Sequence, residues 1–377
     1  MLLWQFLTVH YNRSGNWTAL FCTGQNQPVP PELASQTYRF PGVAGYDGQM
    51  YRFVAHDPFL QGDFARYIDS PVLRYRRILV PGLAFLLAGG SQPWIDASYV
   101  AVVAAFTWLG SYWLSRYAAA LGFHPAWALM FLLVPATLVS MDRMTVDGAL
   151  AALTAGLAYF SVARSSIRLY VVLVLACLTR ETGAVLVAGC CLSELAARHL
   201  TRAFLWSTSC LPTLGWYWFL NGHLHVARAA PGIPRWVFRR LGPGILGRLF
   251  HPLPYPFPRT VELLAQSLDA MALTGIILAA VAAVLLLRVR PPNANKLAAV
   301  CFAALVAGIT SPHFWDSCYS FARVFSPLLL LIGEEAMTSR LRRGWCWIAV
   351  LSTGLVDSRV ALDLGKQALG IVRGLLS

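Results

Sequence analysis

Ten apolar stretches occupy most of this chain, at 98–116, 124–140, 146–163, 168–178, 182–197, 203–220, 269–288, 296–310, 320–334 and 344–357. Few folds are open to such a sequence. A segment that crosses a bilayer must satisfy its own backbone hydrogen bonds, and a helix of about 20 mostly apolar residues does so. Short polar turns separate the stretches, so the expected architecture is all-α, a polytopic transmembrane bundle of about 10 or 11 membrane helices. Several of the stretches fall short of that length, and the polar tetrad Thr179-Arg180-Glu181-Thr182 separates two of them. Composition agrees. The 377 residues are 57% hydrophobic and 12% charged, with mean hydropathy +0.56, where soluble domains carry about 25% charged residues.

The net charge of +13 is almost wholly arginine, because Lys296 and Lys366 are the only lysines. A nucleic-acid-binding chain would gather such charge on one polar face. Here it marks the ends of apolar stretches, as topology signals do, and no nucleic-acid partner is expected. Four short connections are basic: Arg164 with Arg168, Arg198 with Arg202, Arg288 with Arg290 and Lys296, and Arg340 with Arg342 and Arg343. One alternating path puts all four in the cytoplasm, provided that 168–178 and 182–197 form a hairpin. That path places 141–145, 179–182, 221–268, 311–319 and everything before 98 on the outer side.

The expected layout follows. Residues 1–10 read as the remnant of a first transmembrane helix, and 11–97 as an extracytoplasmic loop with an amphipathic helix over 78–90 lying on the outer face. Residues 98–377 form the bundle, with a second extracytoplasmic loop at 221–268. That loop carries Arg228, Arg235, Arg239, Arg240, Arg248 and Arg259, but long loops are exempt from the charge rule. Its run His251–Pro258 reads as extended chain. The eight cysteines contain no C-x-x-C pair and sit mostly in apolar stretches, as small core residues do. Cys22 and Cys318 fall in polar loops and are the pair open to a disulfide. Asn12-Arg13-Ser14 and Asn16-Trp17-Thr18 match the glycosylation sequon, a short pattern with many false matches.

Gly45-Tyr46-Asp47-Gly48-Gln49, running on through Arg52 to His56-Asp57-Pro58, is a polar island in this apolar chain. Ionisable groups beside a membrane domain are costly unless solvated or paired, so their concentration invites a functional reading. The path gathers others on the same side: Asp63, Arg74, Tyr75, Arg76 and Arg77; Asp142, Arg143 and Asp147; Arg180 and Glu181; His313, Asp316 and Arg323. Each has a structural reading as well. Asp47 between glycines suits a turn, and Asp57-Pro58 suits a turn or a helix start. Asp147 suits the first turn of a helix over 146–163. Arg180 and Glu181 would neutralise each other, and Arg323 would snorkel to the interface.

The order of these parts resembles the GT-C superfamily of membrane glycosyltransferases. Asp47 stands where that family carries a first-loop acid, 78–90 where it carries an outer-face helix, and Met141-Asp142-Arg143-Met144-Thr145-Val146-Asp147 where it carries a second acidic motif. Gly45–Gln49, Arg74–Pro81, Thr179–Thr182 and Tyr319–Pro327 also resemble a bacterial GT-C-like group, and the resemblance spans most of 40–335. It implies a multi-pass protein of the bacterial inner membrane with its active site facing outward. It also implies a polyprenyl-phosphate-linked sugar donor, and a glycan, lipid or protein as acceptor. Three departures from the family are expected: a missing or truncated first helix, no Asp-x-Asp in the first loop, and no large soluble C-terminal domain after the bundle.

On this reading Asp47 is the general base that takes the acceptor's hydroxyl proton. Arg323, Arg180, Arg74, Arg76 and Arg77 hold the donor phosphate. Glu181 orients Arg180. Asp142 and Asp147 position the acceptor or a weakly bound divalent cation, the cofactor being otherwise unknown. Gln49, Arg52, Asp57 and Asp316 support the site. Tyr46, Tyr51, Trp315 and Tyr319 either stack on sugars or anchor the interface. A flippase for a lipid-linked sugar and a non-catalytic scaffold of polysaccharide assembly are the rival readings. Transporters favour paired broken helices and internal repeats, and this chain has one broken pair and no visible repeat. Convergence of Asp47, Asp142 or Asp147, Arg180 and Arg323 on one outer-face cavity would separate an enzyme from its rivals.

Overall fold

The computed structural model describes residues 1–224, 244–288, 292–338 and 342–376. Arg228, Arg235, Arg239, Arg240, Arg290 and Arg340 lie outside the described residues, as does the side chain of His313.

The described chain is an all-α helical bundle. It opens with α1 (Leu2–Asn12), then a first-loop region containing α2 (Pro31–Ala34), α3 (Asp47–His56), α4 (Pro71–Arg76) and α5 (Leu79–Leu87). A two-residue parallel pair, β1 (Thr23–Gly24) and β2 (Arg39–Phe40), ties that region together. The bundle follows as α6 (Ile95–Ala120), α7 (Pro135–Arg143), α8 (Asp147–Val162), α9 (Ser166–Thr179) and α10 (Gly183–Ala196). Next come α11 (Leu200–Ser207), α12 (Leu211–His223), α13 (Gly244–Phe250), α14 (Arg259–Leu286) and α15 (Ala294–Gly308). It closes with α16 (Cys318–Val324), α17 (Ser326–Thr338) and α18 (Arg342–Leu376).

Three helical segments among the described residues are long and apolar enough to cross a membrane: Gln92–Ala120, Arg259–Leu286 and Gly344–Leu376. A fourth qualifies if the 3-10 segment Pro125–Leu133 and α7, bent by 60°, count as one span. The helices α8, α9, α10 and α15 are apolar but have only 14 to 16 residues each, about 21–24 Å at 1.5 Å per residue. Ten or eleven full spans are therefore not what the helix lengths give. The expected stretch 203–220 divides into α11 and α12, and 320–334 into α16 and α17. Two helices outrun their apolar stretches: α14 starts at Arg259 rather than 269, and α18 runs on to Leu376 rather than stopping at 357.

Helix α8 is the bundle's centre, because all of 147–158 is buried. Its composition explains why. Gly148, Ala149, Ala151, Ala152, Ala155, Gly156 and Ala158 leave almost no side-chain bulk, so neighbouring backbones approach closely. A methyl group on Gly148 would stand 2.9 Å from the Ser140 Cβ, and one on Gly156 2.9 Å from the Trp113 ring. The expected hairpin of α9 and α10 is present and packs against this centre. Antiparallel packing of α8, α9 and α10 brings the start of α8 and the α9–α10 turn to one end. The basic connections at Arg164 and Arg198 fall at the other.

The segment expected over 78–90 is helical as α5, packed on α3 and α6 with Leu86 and Leu87 exposed. The run 251–258 is without regular structure, as its prolines predict. All eight cysteines are free thiols. Cys318 is buried with its Sγ against the Val356 carbonyl, 3.6 Å away, so the pair it was open to form with Cys22 does not occur. The sequon asparagines are engaged as well. Asn12 donates to the Gln367 carbonyl at 3.0 Å, while Asn16 caps the following turn through Thr18 N at 3.0 Å.

Candidate functional site: an ion-paired cluster at one end of the bundle

Asp47 is the first residue of α3, after Tyr46 in extended backbone at φ −141°, ψ 171°. The glycines beside it have steric causes. Gly45 has φ +87°, in the left-handed region, and a Cβ there would meet the Gln49 amide. A Cβ on Gly48 would run into the Arg143 carbonyl oxygen. The motif thus lets the start of α3 lie directly against the turn after α7, where Met144 adopts φ 47°.

That approach brings Asp47 into a chain of ion pairs. Its Oδ1 accepts from Arg74 Nη2 at 2.8 Å, and its Oδ2 accepts from Arg323 Nη2. Arg323 also donates Nη1 to Asp147 Oδ2 at 3.0 Å. The other oxygen of Asp147 accepts from Arg180 Nη1. Arg77 donates Nε to Glu181 Oε2 at 3.1 Å and Nη1 to the Tyr51 hydroxyl at 2.7 Å. Four sequence-distant parts of the chain thereby meet: the first loop with α4, the start of α8, the α9–α10 turn, and α16. The cluster is nearly but not wholly closed, with the Asp47 and Glu181 side chains each 19% exposed and Arg180 and Arg77 each 8%.

Electrostatics fix the resting charge of Asp47. Burial alone would raise its carboxyl, but the Arg323 and Arg74 guanidiniums outweigh burial and hold it far below the usual carboxylate range. Tyr51, one turn on in α3, shows the same contest. Burial raises its phenol, Arg77 and Arg74 lower it further, and the net shift is downward.

The structure reassigns several expected site residues. Glu181 does not orient Arg180: its carboxylate goes to Arg77, and Arg180 goes to Asp147. The reason is geometric, since Arg180 is extended at φ −164°, ψ 153° where α9 ends, and its side chain reaches α8. Asp142 is not beside Asp147. It accepts from Gln367 Nε2 at 2.6 Å and from Arg143 Nε at 3.4 Å, on the α18 side. The two carboxylates thus take different partners, cationic and amide donors for Asp142 and two guanidiniums for Asp147. Among the described residues no three His, Cys, Asp or Glu side chains are arranged as a group that could hold a metal ion.

Arg76 leaves the other arginines and lies over the Tyr217 ring, 4.9 Å from its centre. Arg52 makes a fork on Asp96, at 2.8 and 2.7 Å, and so fastens α3 to α6. Gln49 accepts from Gly24 N at 3.1 Å and holds the motif's own loop. Asp57 accepts from Gln61 N at 2.7 Å and Gly62 N at 3.0 Å, which is the turn role. Asp316 pairs with Arg248 and lies outside the cluster. Among the aromatics, Tyr51 and Trp315 are buried and closed to a sugar. Tyr46 and Tyr319 are half-buried, and the Arg143 guanidinium covers both, 4.7 and 4.1 Å from their centres.

Three participants were not singled out from the sequence. Asp69 forks on Arg74 at 2.9 and 2.7 Å. Asp96 anchors Arg52. Asp363 of α18 accepts from Tyr319 and pairs with Arg143 at 3.4 Å. An Asp five residues before an Arg at a helix start was a readable signal for the first. Nothing local marked the other two. Compared with known proteins, the chain matches no family model, no curated protein and no solved structure.

Proposed function

We propose that the protein is a membrane glycosyltransferase that moves a sugar from a polyprenyl-phosphate donor to an acceptor hydroxyl outside the cytoplasm. One observation carries the reading: Asp47, Arg74, Arg323, Asp147 and Arg180 form one continuous ion-paired chain although they come from distant segments. Holding several charges together in a mostly apolar bundle is costly, and such groups are kept where they serve a site.

The same geometry refines the chemistry. An Asp47 held between two guanidiniums is a poor base, since a base works best with its pKa near the operating pH. Donor binding resolves this. The phosphate competes for Arg74 and Arg323, and as they turn to it Asp47 loses its counter-charges and its basicity rises. The acceptor oxygen then bonds to the anomeric carbon while the carbon–oxygen bond to the phosphate breaks. The acceptor's proton passes to Asp47. The lipid phosphate leaves with one more negative charge, which Arg323, Arg74 and Arg180 hold through fork-shaped contacts. Arg77 and Glu181 position this set through Tyr51. The expected setting is a multi-pass protein of the bacterial inner membrane with this cluster facing outward.

Incubating the purified protein with a panel of polyprenyl-phosphate sugars tests the reading. Transfer from at least one donor, reduced about 100-fold or more in Asp47→Asn, is the expected result. Full activity in a folded Asp47→Asn protein would remove the base assignment, and no transfer from any donor would remove the enzyme.

A further inference from the structure

A cavity of about 310 Å³ is left without a role by the proposed reaction; its wall mixes polar groups with the apolar side chains of Ala19, Leu20, Phe40 and Val43. Its wall includes Thr8, Arg13, Cys22, Asp142, Arg143 and Gln367, with Gly45 at the edge nearest Asp47. Two of these carry hydrogen-bonding atoms that nothing satisfies. Thr8 is only 4% exposed, and its hydroxyl has no partner. The side-chain oxygen of Gln367 is also buried and unpartnered. A buried polar atom left without a partner is destabilising, so an occupant that supplies one is favoured.

The wall also carries unbalanced charge. Arg13 bonds the Asn12 carbonyl at 3.3 Å and lies 4.5 Å over the centre of the Phe40 ring, with no carboxylate partner among the described residues. Arg143, by contrast, is paired with Asp142 and Asp363 at 3.4 Å each. The cavity therefore offers one uncompensated guanidinium together with a hydroxyl, an amide oxygen and a carboxylate. A neutral sugar would leave Arg13 unmatched, and an acyl chain would leave every one of these groups unmatched.

We infer that this cavity binds an acidic saccharide, its carboxylate on Arg13 and its hydroxyls on Thr8, Gln367 and Asp142, and that it is the acceptor subsite of the transferase. The second half of that statement rests on the proposed function; the binding does not. Position supports the link. Gly45 in the cavity wall is two residues before Asp47, and the Tyr46 ring between them is contacted by Arg143 of the wall at 4.7 Å and by Arg323 of the cluster at 5.1 Å.

Cys22 provides a readout that needs no donor, because it lines the cavity and is half-buried. The full chain in detergent is treated with a maleimide, and labelling of the Cys22 peptide is followed by mass spectrometry. The probes are a uronate-terminated oligosaccharide and its neutral counterpart. The acidic probe is expected to slow Cys22 labelling severalfold and the neutral one hardly at all. Arg13→Gln should abolish the protection, and Thr8→Val, nearly the same shape, should weaken it. Equal protection by both probes, protection by neither, or protection that survives Arg13→Gln would overturn the site. Protection without transfer from any donor would sink the acceptor role and leave the acidic-saccharide site standing.

Discussion

At the scale of single residues, the cluster is a set of charges whose worth depends on completeness. Asp147 is 1% exposed and takes one guanidinium on each oxygen. Asp147→Asn keeps the shape and removes the charge, stranding Arg180 in a buried setting and leaving Arg323 with Asp47 alone. Breaking a buried pair in this way costs about 3–5 kcal/mol, so a marked fall in the detergent unfolding temperature is expected. An unchanged temperature would mean that water, not Asp147, solvates those arginines. The pH behaviour of Asp47 has a definite sign. Its folded pKa is depressed, so its contribution is fully present above the unfolded value of about 3.9 and is lost as pH falls below that. Unfolding temperatures from pH 8 to 5 should therefore differ little between the native protein and Asp47→Asn in their slope with pH. A slope difference near neutrality would contradict the clamp. Asp47, Arg323 and Arg180 were legible in the sequence because ionised side chains are rare in so apolar a chain. Their pairing was not. That Arg180 prefers Asp147 to its own neighbour Glu181 follows from the extended backbone at the end of α9, which no local pattern encodes.

Among the elements, the apolar cores of helices were readable and their polar ends were not. Helix α18 shows why. Beyond 357 it carries Arg359, Asp363, Lys366 and Gln367, which lower the hydropathy that marks a span. Yet these residues lie at helical spacing and meet Arg143, Tyr319, Asp142 and Asp269, so the helix continues because its polar side has partners. The same holds for α14, whose first turns carry Glu262, Gln266 and Asp269. In the first loop, α3 is fastened to α6 by the Arg52–Asp96 fork, to which His56 adds a contact at 3.1 Å. That fork sets how the middle of α3 lies on α6, as the motif at 45–49 sets how its start lies against the turn after α7. Arg52→Ala should leave Asp96 without its cation and loosen the whole 47–96 region. Limited proteolysis is expected to cut the exposed stretch near Gly62 several times faster in the variant, while the helices from α8 onward resist. Equal cutting rates would show that the loop is held by its apolar contacts alone.

For the whole molecule, helix length decides where the cluster sits in a membrane. A hydrocarbon core is about 30 Å thick, while α8, α9 and α10, at 14 to 16 residues, are about 21–24 Å long. If their basic ends at Arg164 and Arg198 lie at the cytoplasmic boundary, their other ends stop several ångströms short of the outer one. Asp147 and Arg180 belong to those ends, so on that orientation the cluster would be recessed below the outer surface, where the proposed lipid-borne phosphate would have to be drawn in. The sequence placed the polar break at 179–182 in the outer turn of a hairpin, but that Arg180 there reaches Asp147 at the start of α8 was not legible, because the pairing depends on how α8 and α9 pack. The sidedness follows from charge alone and is open to direct test. Thr182→Cys should react with a membrane-impermeant maleimide in intact cells, slowly because it is recessed, and more slowly still when donor is bound. Ser165→Cys should react only after permeabilisation. Both variants are compared in a background where the native cysteines are first blocked with a permeant reagent before each new thiol is unmasked by reversible protection. Rapid labelling at 165 in intact cells would invert the topology and, with it, the placing of every charge in the cluster.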